Sequence, residues 1–156
     1  MSKYPITKKK LLSAMKCKLK AWLYMHGRKV GIKPNKPTPQ QKRMMQSGID
    51  AENYFRTFKT DGVLIKDGWS YYGWKNAIKE TKDAIYNGMS RLYQSAFLSK
   101  DNILSLSDEV IIHDNNNLTL NEVKATNSVK EEHILDVAVQ AHTVIDSGYN
   151  LNDISL

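Results

Sequence analysis

The chain has 156 residues, 41% of them apolar and 25% charged, which is enough for one domain with a single core. Twenty-three Lys and Arg against sixteen Asp and Glu give a formal charge of +7, which suits a polyanionic partner such as nucleic acid. One cysteine excludes an internal disulfide framework, no apolar run approaches the ~20 residues of a membrane span, and the basic N-terminus lacks the apolar segment of a signal peptide, so a cytoplasmic setting without a membrane partner is expected.

From Thr7 to His26 the residues Leu11, Leu12, Met15, Leu19, Trp22 and Leu23 recur at helical spacing. Thr7 is placed to cap the start and Gly27 to close the end, which predicts one amphipathic helix. Its remaining faces carry Lys8, Lys9, Lys10, Lys16, Lys18 and Lys20. Lys16 and Lys20 are candidates to lie along a phosphate backbone, and a solvated surface is the plain alternative. A loop over 27–37, rich in Gly and Pro, leads to Thr38-Pro39-Gln40-Gln41, where an N-cap, a Pro at the first helical position and a capping-box Gln predict a second helix. On it Met44, Met45, Gly48 and Phe55 share a face into which Glu52 falls. Residues 62–68 read as a short strand and turn, followed by Trp69, Tyr71, Tyr72 and Trp74, aromatics suited to stacking on unpaired bases or to filling a small core. A short helix through Thr81, Ile85 and Met89 and a strand from Arg91 to Leu98 come next.

Ser107 to His113 and Leu120 to Lys124, joined by an Asn-rich turn, predict a β-hairpin. Alternation puts Leu104, Leu106, Asp108, Val110 and Ile112 on one face, so a carboxylate interrupts a row of core residues. Such a group costs several kcal/mol unless a cation or hydrogen bonds compensate it, and a divalent metal fits that need. In the second strand Glu122 and Lys124 share a face, roughly 7 Å apart, and Val123 points away. Register decides whether the two strands cooperate: a three-residue turn at 115–117 pairs Asp114 with Leu118, sets Asp108 opposite Lys124, and makes Asn117 the candidate for positive φ. After the hairpin, Ser128 to Glu131 reads as a capping box for a helix whose core face is Ile134, Val137, Ala138, Ala141, Val144 and Ile145. Lys130, His133 and Gln140 line one edge of that face, while Asp136 and His142 fall off it.

Asp108, Glu122 fourteen residues later and the triplet Glu122-Val123-Lys124 together resemble the PD-(D/E)xK nuclease superfamily, and downstream Ser128-Val129-Lys130, His133, Asp136 and Gln140 resemble its RecB-type branch, related to CRISPR-associated exonucleases. The resemblance extends to the first helix and covers most of the chain. It implies an α/β fold with a restriction-endonuclease-like core, a mixed central sheet carrying a β-hairpin active site and flanked by helices. It also implies a single nuclease-like domain over 1–156. The family usually continues with further strands beyond Gly148-Tyr149, which leaves room for a C-terminal domain or a protein partner. By the same resemblance Asp108, Glu122, Lys124 and Gln140 are catalytic, and Gly48 and Glu52 map to a helix that turns a His or Glu toward the metal. Gln94 stands where relatives often have Glu. Cys17 matches one ligand of a cluster that needs three more cysteines, so no complete iron–sulfur cluster comes from this chain alone.

Oxygen donors from Asp108, Glu122, the Val123 carbonyl and Glu52 suit Mg2+ or Mn2+. Lys124 is placed to orient or deprotonate an attacking water and to add positive charge, and Lys130, His133, Lys16 and Lys20 are the candidate DNA contacts. The expected function is metal-dependent hydrolysis of DNA phosphodiesters. A basic DNA-binding module of the same fold without activity is the competing reading.

Overall fold

In the computed structural model, residues 4–33, 35–66, 73–114 and 116–156 are described. Trp69, Tyr71, Tyr72 and the turn at Asp67-Gly68 lie outside the described residues. The backbone runs β1 (Ile6–Thr7), α1 (Lys8–Lys16), α2 (Lys18–His26), a 3-10 turn (Gly27–Val30), α3 (Pro39–Thr57), β2 (Val63–Leu64), α4 (Trp74–Tyr86), β3 (Arg91–Leu98), β4 (Ile103–Ile112), β5 (Asn117–Asn121), α5 (Glu131–Asp146) and β6 (Asn150–Ser155). The fold is α/β: a mixed, open six-stranded sheet in the order β2-β3-β4-β5-β6, with β1 added alongside β4, flanked by helices. β3-β4 and β4-β5 are antiparallel, whereas β2-β3, β5-β6 and β1-β4 are parallel. The even-numbered residues Leu104, Leu106, Val110 and Ile112 of β4 join Leu92, Leu118 and Leu120 in the core, which is closed by Ala77 and Ile85 of α4 and Val144 of α5. Trp74 packs half-buried against this cluster. Among the described residues, no helix is long and apolar enough to cross a membrane.

Three helices depart from the sequence reading. The segment 7–26 is two helices, broken at Cys17, whose φ of −160° and ψ of 110° are those of a strand. Thr7 makes no side-chain cap; Gly27 is the C-cap of α2 as expected, in a right-handed conformation, and also opens the 3-10 turn, which ends at the left-handed Gly31, with φ of 79°. In α3 the Thr38 capping box forms with Gln41 as expected, but no residue of the helix is buried, and Met44 and Met45 of the expected packing face are exposed. Its C-terminal end is tied down instead, by the Tyr93 hydroxyl donating to the Lys59 carbonyl at 2.8 Å and by Gly62, where an added Cβ would sit 2.2 Å from the Tyr93 ring. Helix α5 starts at Glu131 with Lys130 as N-cap rather than at Ser128. Its buried face is Asp136, Val137, Gln140, Thr143 and Val144, while Ile134 and Ile145 are exposed, so the helix is rotated relative to its apolar pattern.

Candidate active site

The site is built on the β4-β5 hairpin. Its turn has three residues, 114–116, one position earlier than expected, and the Asp114 carboxylate fixes it by accepting from the backbone N–H groups of Asn116 and Asn117, both at 2.9 Å. Asn117 therefore begins β5 and has no positive φ; among the described non-glycine residues that conformation belongs to Gln94 and Asn102. The ladder pairs Glu109 with Asn121 and Val110 with Leu120. Continued by one residue, it sets Asp108 opposite Glu122 instead of Lys124. β5 ends at Asn121, so Glu122 and Lys124 lie just past the strand expected to hold them; the sum of paired numbers stays even, which keeps Asp108 and Glu122 on one face. Val123 joins the site through its backbone, whose N–H donates to Asp108 Oδ2 at 2.9 Å.

Four further elements converge on this face. From β3, Gln94 lies opposite Asp108 and adopts φ of 56°, a conformation that costs a non-glycine residue about 1 kcal/mol or more and is seen where a site demands it. Its side-chain amide donates to Glu52 Oε2 at 2.9 Å and to Asp108 Oδ1 at 3.3 Å. Glu52 thereby reaches the site from α3. Gly48, by contrast, makes no close approach, since a Cβ there would meet nothing within 4 Å. From α5, the fully buried Gln140 donates to Glu122 Oε2 at 2.7 Å. Asp136, one turn earlier, was expected to point elsewhere, and the rotation of α5 brings it in. Its Oδ2 accepts from Lys124 Nζ at 2.7 Å, and its Oδ1 lies 2.6 Å from Lys8 Nζ, an ion contact without hydrogen-bond alignment. Lys8, the first residue of α1, also lies 3.5 Å from Glu122 Oε1, which pairs with Lys124 as well.

The charges sort into two groups. Glu122, Asp136, Lys8 and Lys124 form a closed ring of alternating sign. Burial pulls the Lys124 ammonium down, but Glu122 and Asp136 outweigh it and hold Lys124 well above the usual lysine range. Burial pushes Asp136 up, and Lys8 and Lys124 more than reverse the effect. Asp108 and Glu52 form the second group, and neither makes an ion pair among the described residues. Burial, then the neighbouring charges of Glu122 and Glu52, push the Asp108 carboxyl up to about 7. Burial likewise raises Glu52. The next residue of β4 provides the contrast: Glu109 is completely buried, yet its carboxylate is met by the Arg91 guanidinium and the Asn121 amide. Asp108 has only the Val123 N–H and the Gln94 amide, and no ion pair among the described residues. A cavity of about 300 Å3 lined by Leu12, Lys16, Lys124, Glu132, His133 and Asp136 opens beside the ring.

The chain matches no protein-family model, no curated protein and no solved structure. The reading of the site therefore stands on its geometry.

Of the four candidate DNA contacts, Lys16 and His133 line this cavity. Lys16 is already paired with Glu132, and His133 Nδ1 accepts from the Lys130 N–H at 3.2 Å. Lys20 and Lys130 are exposed on the surface. Cys17 is exposed at the α1-α2 break. Among the described residues, no three His, Cys, Asp or Glu side chains converge as a ligand set, and Gln94, Gln140, Lys8 and Lys124 contact carboxylate oxygens of Glu52, Asp108 and Glu122. Two participants were missed in the sequence. Lys8 reads as one lysine of a basic helix face, and apolar periodicity puts Asp136 on the wrong face of α5, although the resemblance singles it out beside Gln140.

Proposed function

We propose that this chain is a metal-dependent DNA phosphodiesterase with a restriction-endonuclease-like core of the PD-(D/E)xK, RecB-type kind. The observation that carries the reading is Asp108: a carboxylate set among core residues, raised to about 7 by burial and by two neighbouring carboxylates, and without an ion pair among the described residues of the kind Arg91 makes with its neighbour Glu109. Asp108, Glu122 and Glu52, with the Val123 carbonyl, are hard oxygen donors that fit Mg2+ or Mn2+. Such an ion, when bound, supplies Lewis-acid stabilisation of a phosphate and acidifies water. The protein's own groups do the rest. Gln140 holds Glu122 in its rotamer, Gln94 spans Glu52 and Asp108, and the Val123 N–H aims Asp108. The paired Lys124 stays protonated across the neutral range, which favours charge stabilisation of the phosphate over proton abstraction as its role.

The basic charge of the chain also supports binding without cleavage, and a chelator separates the two. A nuclease cuts DNA with Mn2+ or Mg2+ and stops in EDTA, whereas a simple binder holds DNA equally in both. In the active protein, Lys124→Ala is expected to lower the cleavage rate roughly 100- to 1,000-fold while Mn2+ binding by calorimetry persists, since it removes a charge and no ligand. Cleavage at the parental rate would remove Lys124 from the active site.

A further inference from the structure

Lys124 has two anchors, and only one of them belongs to the candidate metal ligands. Glu122 Oε1 meets its ammonium from two residues earlier, just past the end of β5, and Asp136 Oδ2 accepts from it at 2.7 Å from α5. Lys8 closes the ring at 2.6 Å from Asp136 and 3.5 Å from Glu122. All four groups are at least half-buried, with side-chain exposures of 20% for Lys8, 27% for Lys124, 12% for Asp136 and 4% for Glu122. The strand-helix arrangement makes the ring deliberate in a structural sense: β1 pairs Ile6 with Ile103 and Thr7 with Leu104, which delivers Lys8 at the first turn of α1, and the polar face of α5 turns Asp136 inward where its apolar pattern alone would turn it out.

We infer that Asp136 and Lys8 are a positioning pair for Lys124, holding its ammonium in place when Glu122 is engaged by a cation. This rests on the metal-dependent reading of the same face. The ring of four is neutral while Glu122 belongs to it. Once Glu122 is committed to a cation, Asp136 is the remaining anchor of Lys124, and an unpaired Asp136 would cancel the lysine's charge. Lys8 prevents that: Lys8, Asp136 and Lys124 together keep one net positive charge beside the scissile phosphate. Asp136 therefore fixes position and Lys8 preserves charge. A four-carbon lysine stem without its anchor samples many rotamers, and ordering it at the moment of reaction carries an entropic cost that a preset geometry avoids.

The pair is tested in the full chain by two measurements. Nitrogen-15 spectra selective for lysine ammonium groups detect those held in buried ion pairs, and the parent is expected to show such signals for Lys8 and Lys124. Asp136→Asn is expected to lose the Lys124 signal with an unchanged amide spectrum, and Asp136→Glu to restore it in part. An undiminished Lys124 signal in Asp136→Asn overturns the proposal, whether or not the protein cuts DNA, so this arm separates it from the nuclease reading, which fails if the parent does not cleave with Mn2+. In the cleavage arm, Asp136→Asn is expected to lower kcat about 10- to 100-fold at unchanged KM, as for other residues that orient a reacting group from behind it, with part recovered in Asp136→Glu. Unchanged kcat overturns the proposal, and so does a purely KM effect. Should Asp136→Asn fail to fold, Lys8→Gln replaces it: a smaller kcat loss of the same kind, with the Lys124 signal retained, is expected, and parental kcat overturns the charge-preserving role.

Discussion

At the scale of single residues, the adjacent carboxylates Asp108 and Glu109 show how context assigns roles to similar groups. Glu109 is fully buried but compensated by Arg91 and Asn121. Asp108 is compensated by one backbone N–H and one amide, and its carboxyl is raised to about 7, first by burial and then by Glu122 and Glu52. A carboxyl whose folded pKa exceeds its unfolded value near 3.9 binds its proton more tightly in the folded state. Its stabilising effect is therefore full at acid pH, fades as pH rises from about 4 to 7, and above that leaves a charged group that the fold disfavours. Asp108→Asn removes this dependence while its amide oxygen still accepts from Val123. In EDTA the variant is expected to melt near the parent at pH 4 and several degrees above it at pH 8, because each kcal/mol moves the midpoint of a domain this size by roughly 2–4 °C. The same variant is expected to lose Mn2+ affinity. A melting difference that does not change with pH would mean Asp108 does not carry the buried charge, and unchanged Mn2+ binding by calorimetry would take it out of the ligand set.

At the scale of elements, the hairpin register is held by the core more firmly than by its turn. Leu118 and Leu120 of β5 are almost completely buried, and a one-residue slip would turn both outward at a cost of about 1.5–3 kcal/mol each. Lengthening the turn by one residue costs only roughly 0.3 kcal/mol in closure entropy. Inserting one Asn between Asn116 and Asn117 is thus expected to enlarge the loop, shift stability in urea by less than about 1 kcal/mol, and leave Mn2+ binding intact. A folded insertion variant that no longer binds Mn2+ would show that the turn sets the register. The same balance explains what the sequence made legible. Strand β3 and the α3 capping box are readable to the residue because they are local, whereas the face shared by Asp108 and Glu122 needs an even pairing sum as well as alternation, which a three-residue turn supplies at either position. The turn was displaced by one residue because three consecutive Asn residues offer equivalent positions and only the Asp114 carboxylate chooses among them. Helix α5 was misread because periodicity counts apolar residues, whereas Asp136, Gln140 and Thr143 are buried by partners on other elements: Lys8, Glu122 and Ser105. The break at Cys17 has neither Gly nor Pro to announce it.

At the scale of the whole molecule, charge is divided along the chain. Residues 1–60 hold fifteen Lys and Arg and only two Asp and Glu, whereas residues 61–156 hold eight and fourteen. One of the two acids in the first part is Glu52, which reaches the site. The helices α1 to α3 are therefore the cationic part of the molecule, and the sheet that carries the carboxylates is its acidic part. A polyanion brought to Asp108 and Glu122 needs the first part to offset repulsion from the second, so DNA binding is expected to weaken steeply with salt, through release of counterions from the phosphates that the lysines neutralise. Individual lysines should contribute unequally. Lys20 is exposed and makes no ion pair among the described residues, and a phosphate contact there releases a counterion, so Lys20→Ala is expected to reduce the slope of log affinity against log salt by about 0.9 for duplex DNA. Lys16 is paired with Glu132, and contact with a phosphate would exchange one anion for another. Lys16→Ala should change the slope by clearly less. Removing the competing carboxylate with Glu132→Gln should raise both affinity and slope in the protein that retains Lys16, and should do neither in Lys16→Ala. Fluorescence anisotropy with a labelled duplex in EDTA, titrated with KCl, measures the parent and all four variants without cleavage. Equal slope losses for Lys16→Ala and Lys20→Ala would mean that the Lys16-Glu132 pair does not persist in solution, and no loss for either would place the DNA on another face of the molecule.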